Sequence, residues 1–219
     1  MRRILYNIIK DIICPFFIVL FAAIILRYFT YNIRAFILIY CFSSICFLSY
    51  VIMLYLSKKE SLSIYLRSRL NRSCIKPLLL LLISNPIITI IIGKIGFTPN
   101  SQFVQINDFS LPSTTIVYFT ICLFLTVPIL VFAEELYFRC YLFDIQYKTF
   151  KKHTWVFNGL AWSIYHLFNP KLLIIIPISF LYSYVFQKYR NIWITFIAHL
   201  ISNVFSELLI IYFMILKYL

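Results

Sequence analysis

Acidic residues are scarce in this chain: seven Asp and Glu stand against twenty Lys and Arg, and charged residues make up only 12% of its 219 positions. An ordinary soluble domain carries about a quarter charged residues, so this composition excludes one. Glycine is also rare, with three residues, which leaves few places to break a helix. The six cysteines (Cys14, Cys41, Cys46, Cys74, Cys122 and Cys140) include no Cys-x-x-Cys pair, which argues against a zinc knuckle or a dithiol redox site. They read as small core residues. There is no internal repeat, low-complexity tract or linker, so residues 1–219 are expected to form a single membrane domain.

Apolar side chains are abundant, at 63% of the sequence. This predicts an all-α, polytopic transmembrane bundle. A span needs about 20 apolar residues, and the runs near 12–29, 35–56, 77–93, 114–146, 155–168, 172–187 and 192–216 give about seven segments, with six to eight compatible. The run at 114–146 is longer than one span, and those at 155–168 and 172–187 are short enough for tilted or partial spans. Met1-Arg2-Arg3 and Lys10 ahead of the first run resemble a signal peptide's charged region. The run is too long and has no small-residue cleavage site, so an uncleaved first span is expected.

The net charge of +13 lies between the apolar runs, where it reports orientation and not a nucleic-acid partner. Lys and Arg are concentrated in alternate loops: Arg2, Arg3 and Lys10; Lys58 through Lys76; Lys148, Lys151 and Lys152; Lys188 and Arg190. By the positive-inside rule these are cytoplasmic, as is the N-terminus. The 94–113 stretch, with Gly96, Pro99, Asn100, Asp108 and Pro112, has loop chemistry and is expected to cap the outer side. High Ile, Phe, Tyr, Asn and Lys usage points to an AT-rich genome and a bacterial cytoplasmic membrane.

Against this background, Glu134 and Glu135 stand out inside an apolar run. A charged side chain at the bilayer centre costs on the order of 3 kcal/mol on insertion scales, so an intramembrane carboxylate signals function by default. Helical rise from the basic boundaries puts Glu134 and His166 at roughly 21 Å and His199 at roughly 14 Å, one level within a core about 30 Å thick. Glu135 and Arg139 are spaced for an i,i+4 ion pair with the acid N-terminal, which leaves Glu134 to face a cavity. His199 and Asn203 share a helix face, and Pro128 is placed to kink the helix before the glutamates.

The ordered set Glu134-Glu135-x-x-x-Arg139, Trp162-Ser-Ile-Tyr-His166 and His199-x-x-x-Asn203 resembles the three-motif signature of the CPBP (Abi) family of intramembrane proteases, which includes the type II CAAX prenyl endopeptidases. His166-Leu-Phe-Asn-Pro170 and Arg190-Asn-Ile-Trp193 are similar to family members too. The resemblance covers about 114–207, the expected protease core. One departure is Trp162, where many members have Phe; it is expected to act in packing and not in the chemistry. The resemblance implies peptide-bond hydrolysis in the membrane. Glu134, aided by His166, would activate water, His199 and Asn203 would bind the oxyanion, and Glu135 with Arg139 would support them. Direct attack by water is preferred over an acyl-enzyme. A divalent metal such as zinc is left open, with Glu134, His166 and His199 as its ligands. The expected partners are the lipid bilayer and a membrane-associated protein or peptide substrate; the oligomeric state is not readable.

Plainer readings stand beside these. Glu134, Glu135 and Arg139 make a polar clamp between helices, Asn203 is helix glue, His153 is a solvated loop residue, and Glu207 is a polar residue near the outer face. At the level of function, the alternatives are a non-catalytic bacteriocin self-immunity protein and a proton-coupled transporter, the latter opposed by the missing repeat and glycines.

Overall fold

The computed structural model describes residues 33–58, 62–95, 113–166 and 172–216. The expected first span at 12–29, most of the outer loop at 96–112 and the Leu167–Pro170 stretch lie outside the described residues. Among the described residues eight α-helices follow in chain order: α1 (Ile33–Lys58), α2 (Leu62–Leu66), α3 (Ile75–Lys94), α4 (Ser113–Glu135), α5 (Phe143–Phe150), α6 (Thr154–Tyr165), α7 (Leu172–Tyr189) and α8 (Ile192–Leu216). Among the described residues there is no strand. Arg72–Lys94 and Leu172–Tyr189 are long and apolar enough to cross a membrane, and Ser44–Leu56 and Ile192–Ser206 form shorter apolar helices.

The distribution of polarity is what a lipid solvent selects. Arg139, Glu135, Asn158, Ser183 and Thr195 are fully or almost fully buried, while Ile75, Leu79, Ile83, Ile87 and Ile90 of α3 are exposed. In lipid, polar groups must find partners within the protein and apolar side chains can face outward. The architecture is therefore consistent with a helical membrane protein.

The long run expected at 114–146 is a continuous helical stretch extending to Phe150. It passes through Pro128 and changes register at a wide π-helical turn, Leu136–Leu142, directly after the glutamate pair. There the Phe143 N–H reaches back to the Phe138 carbonyl, five residues and not four. All seven residues of this turn are buried. Side chains from other helices bind its carbonyls: the Tyr55 hydroxyl donates to Leu136 O at 3.0 Å and Asn158 Nδ2 to Phe138 O at 2.7 Å. Such bulges inside α-helices cluster at functional sites.

Helices α6 and α7 make the most extensive pairing, and small residues allow it. A Cβ at Gly159 would lie 2.9 Å from the Phe180 Cα. The Ser179 hydroxyl donates to Gly159 O at 2.9 Å and is 2.6 Å from the Ser163 hydroxyl. Close backbone approach through small residues, with hydroxyls as glue, is how membrane helices associate.

The link between α7 and α8 sets the position of His199. Arg190 takes a positive φ of 49° and its N–H bonds to Phe186 O at 2.8 Å, closing α7. Asn191 then caps α8, its Oδ1 accepting from the Trp193 N–H at 3.0 Å. Asn191 Nδ2 also donates to Arg69 O at 3.1 Å, and Trp193 Nε1 to Leu66 O at 3.4 Å. Gln187 Nε2 donates to Lys152 O at 2.9 Å, and Arg190 pairs with Asp144 at 3.3 Å. Three of the loops expected on one side from their basic residues are thus bonded together at one end of the bundle. His153 is exposed among them.

Candidate active site

Four helices converge on the polar centre. At the C-terminal end of α4, Glu134 and Glu135 are 6% and 1% exposed, and His199 from α8 is 7% exposed. His199 Nδ1 is 3.0 Å from Glu135 Oε1, and its Nε2 is 3.9 Å from Glu134 Oε2. The imidazole therefore stands between the two carboxylates. An ionised carboxylate only accepts, so the contact with Glu135 assigns the proton to Nδ1 and turns Nε2 toward Glu134.

His166 is oriented in a parallel way. It ends α6, and its Nδ1 lies 3.0 Å from Trp162 O. A carbonyl also only accepts, so Nδ1 carries the proton here too and Nε2 of the neutral ring keeps its lone pair. Trp162 packs edge-on against both imidazoles, with centroids 5.4 Å from His166 and 5.1 Å from His199. The two histidines, remote in sequence, thus flank one indole.

Arg139 is fully buried in the π turn. Its Nε is 3.5 Å from Glu135 Oε2, the i,i+4 pair expected from spacing. Its NH1 donates to Asn158 Oδ1 at 2.5 Å and to Ser183 Oγ at 2.9 Å, and its guanidinium stacks 4.6 Å over the Trp162 ring. Asn158 is held in turn, donating to Phe138 O and to Gln146 Oε1 at 3.1 Å. A buried guanidinium needs such partners, because an unpaired charge in the interior costs several kcal/mol, roughly. Asn158, Ser183 and Gln146 were not legible as site residues: each is an ordinary polar residue until folding aims it at Arg139.

Two sequence expectations are revised. Trp162 is not packing alone: its Nε1–H donates to Glu134 Oε2 at 3.3 Å. That bond turns Glu134, expected to face a cavity freely, into a buried and tethered carboxylate. Asn203 is half-buried one turn beyond His199 on α8, and among the described residues no hydrogen bond joins it to the glutamates. A second polar cluster borders this end of the site: Asn85 Nδ2 donates to Ser202 Oγ at 2.5 Å and to the Tyr182 hydroxyl at 3.2 Å. The Tyr182 ring packs against His199.

Among the described residues no group of three His, Cys, Asp or Glu side chains gathers in a way that could hold a metal ion. The proposed ligands Glu134, His166 and His199 flank Trp162 and do not close on a common point.

The motifs lie within the segment matched by a known family. Residues 113–205 match the type II CAAX prenyl endopeptidase Rce1-like family. The match supports the resemblance to the CPBP, or CAAX protease, family and covers α4 through most of α8, including both glutamates, both histidines and Asn203. No curated protein and no solved structure matches the chain. Helices α1 and α3 lie outside the Rce1-like segment, yet α1 packs on α4 and α3 packs on α7 and α8.

Proposed function

We propose that this protein is an intramembrane endopeptidase that hydrolyses peptide bonds of membrane-associated proteins or peptides with activated water. The observation that carries this reading is the imidazole of His199 held between Glu135 and Glu134. Here, among the described residues, Glu135 alone pairs with Arg139 and both carboxylates flank His199, which provides a site to accept, hold and return a proton.

The reaction runs as follows. Water bound between Glu134 and the Nε2 atoms gives a proton to Glu134 while its oxygen attacks the scissile carbonyl carbon, with His166 Nε2 accepting a hydrogen bond from the same water. The carbonyl π electrons move to oxygen, and the oxyanion takes hydrogen bonds from Asn203 and from the Nε2–H of His199 as an imidazolium, whose Nδ1–H stays on Glu135. Collapse of the tetrahedral intermediate breaks the C–N bond, and the proton held by Glu134 passes to the leaving amine. Glu135 holds the His199 ring in one orientation, and Arg139 offsets the Glu135 charge.

The same reading places the whole chain, residues 1–219, in one membrane domain of about seven segments, with the protease core at 114–207. It lies in a bacterial cytoplasmic membrane with a cytoplasmic N-terminus, contacts the lipid bilayer and its substrate, and binds no nucleic acid. The test is proteolysis by wild-type, Glu134→Ala and His199→Ala protein in proteoliposomes on a panel of membrane-tethered peptides, with and without chelator. Cleavage lost in both variants supports the reading, and cleavage equal in all three removes it. Sensitivity to chelator decides the metal requirement.

A further inference from the structure

Trp162 touches nearly every group of the site. It is 3% exposed. Its ring lies under the Arg139 guanidinium at 4.6 Å and meets His199, His166 and Tyr182 at 5.1, 5.4 and 5.7 Å. Those contacts fix the plane of the indole, and with it the direction of its one polar bond.

That bond runs in one sense only. Indole Nε1 is a donor without acceptor capacity, and a buried indole N–H requires a partner; here it is Glu134 Oε2, at 3.3 Å. The carboxylate has no other hydrogen bond among the described residues, since His199 Nε2, at 3.9 Å, is beyond hydrogen-bond reach. A glutamate side chain has three rotatable torsions, and catalytic geometry must hold within about half an ångström. Without the indole, nothing described would keep Oε2 facing His199.

We propose that Trp162 is a positioning residue whose indole N–H fixes the Glu134 carboxylate against His199 in the reactive arrangement. The value of that arrangement rests on the hydrolase reading above; the bond itself does not. Arg139 acts on Glu134 through this indole as well: Asn158 and Ser183 hold the guanidinium, the guanidinium stacks on the ring, and the ring points its N–H. Phenylalanine at 162 would retain an aromatic face and lose the donor.

The test has two parts, chosen to separate the bond from the reaction. In lipid nanodiscs, ¹⁵N-indole spectra of the full chain contain signals from its three tryptophans, and the Trp162 signal is the one missing in Trp162→Phe. Glu134→Ala is expected to move that Nε1–H resonance upfield and leave the other two in place. A Trp162 signal that stays put overturns the proposal, whatever the protein's activity. On the tethered-peptide panel, Trp162→Phe is expected to lower kcat about tenfold with KM unchanged and the same melting temperature in detergent. Unchanged kcat, or a loss carried only by KM, also overturns it. Glu134→Ala cleaving as well as wild type removes the hydrolase reading instead, and the nanodisc spectrum then decides the positioning bond by itself.

Discussion

His199 and Glu135 are joined at 3.0 Å through Nδ1 and Oε1 across 64 residues of sequence. The adjacent carboxylate of Glu134 lies on the opposite nitrogen. Because the Nδ1 contact sets which nitrogen faces the reactive side, Glu135→Gln should leave the fold intact and impair the chemistry. We expect kcat to drop by on the order of 10²-fold, with little change in KM. Single-turnover cleavage of tethered peptides reads it directly, and a Glu135→Gln enzyme with wild-type kcat would show that the contact is only structural.

Arg139 makes a separate prediction about stability. Removing one partner of a buried ion pair leaves the other charged and unpaired, at a cost of roughly 3–5 kcal/mol. Arg139→Met should therefore lower the melting temperature in detergent sharply. Adding Glu135→Gln should restore part of the loss, since the two residues are coupled. Purely additive effects would mean that the 3.5 Å contact contributes nothing.

The α6–α7 contact leaves no room for a methyl group at position 159, where the obstacle is the backbone of Phe180. Gly159→Ala must push the helices apart and is expected to destabilise by about 1–3 kcal/mol. The polar layer carrying Asn158, Ser179 and Ser183 spans the same pair of helices, so activity should fall as well. A Gly159→Ala protein with unaltered melting and turnover would refute the packing described for this interface.

At the loop-rich end, the Tyr65 hydroxyl donates a short hydrogen bond to Asp144. Burial first, and then this bond, push the Tyr65 phenol well above its ordinary range. A group raised in the folded state contributes stability that is complete below its unfolded value, about 10, and is lost as pH climbs toward the folded one. Tyr65→Phe should thus melt lower than wild type near neutrality, and the gap should narrow in strongly alkaline buffer. A gap that does not vary with pH would contradict the bond.

Immunity and catalysis are separable in cells that produce a bacteriocin. If the protein protects them by cutting peptides, Glu134→Ala should abolish protection at equal membrane abundance. Protection that survives Glu134→Ala would move the reading to non-catalytic binding.

Much of the architecture was legible because lipid imposes simple rules. Runs of apolar residues near 77–93, 172–187 and 192–216 became helices at Ile75–Lys94, Leu172–Tyr189 and Ile192–Leu216. The Glu135–Arg139 pair followed from helical periodicity, because four residues on a helix return to the same face. The run at 114–146 was legible as too long for one span, but not as a helix broken by a π turn. That turn depends on Tyr55 and Asn158 reaching its carbonyls from other helices, and no local pattern encodes such partners.

By itself, then, the sequence determined the membrane solvent, the helical class and the residue types of the candidate site. Composition and periodicity are local properties, and a carboxylate in an apolar run is anomalous wherever the chain goes. Tertiary structure alone decided how those groups are arranged. Whether His199 would meet Glu134 or Glu135, whether Trp162 would pack or donate, and which amides would hold Arg139 all depend on how α4, α6, α7 and α8 are rotated against one another. Small residues such as Gly159 and Ser179 govern that rotation by permitting close contact, and hydrogen-bond directions then follow from it to within a few tenths of an ångström, roughly the tolerance that separates a bond from a mere contact.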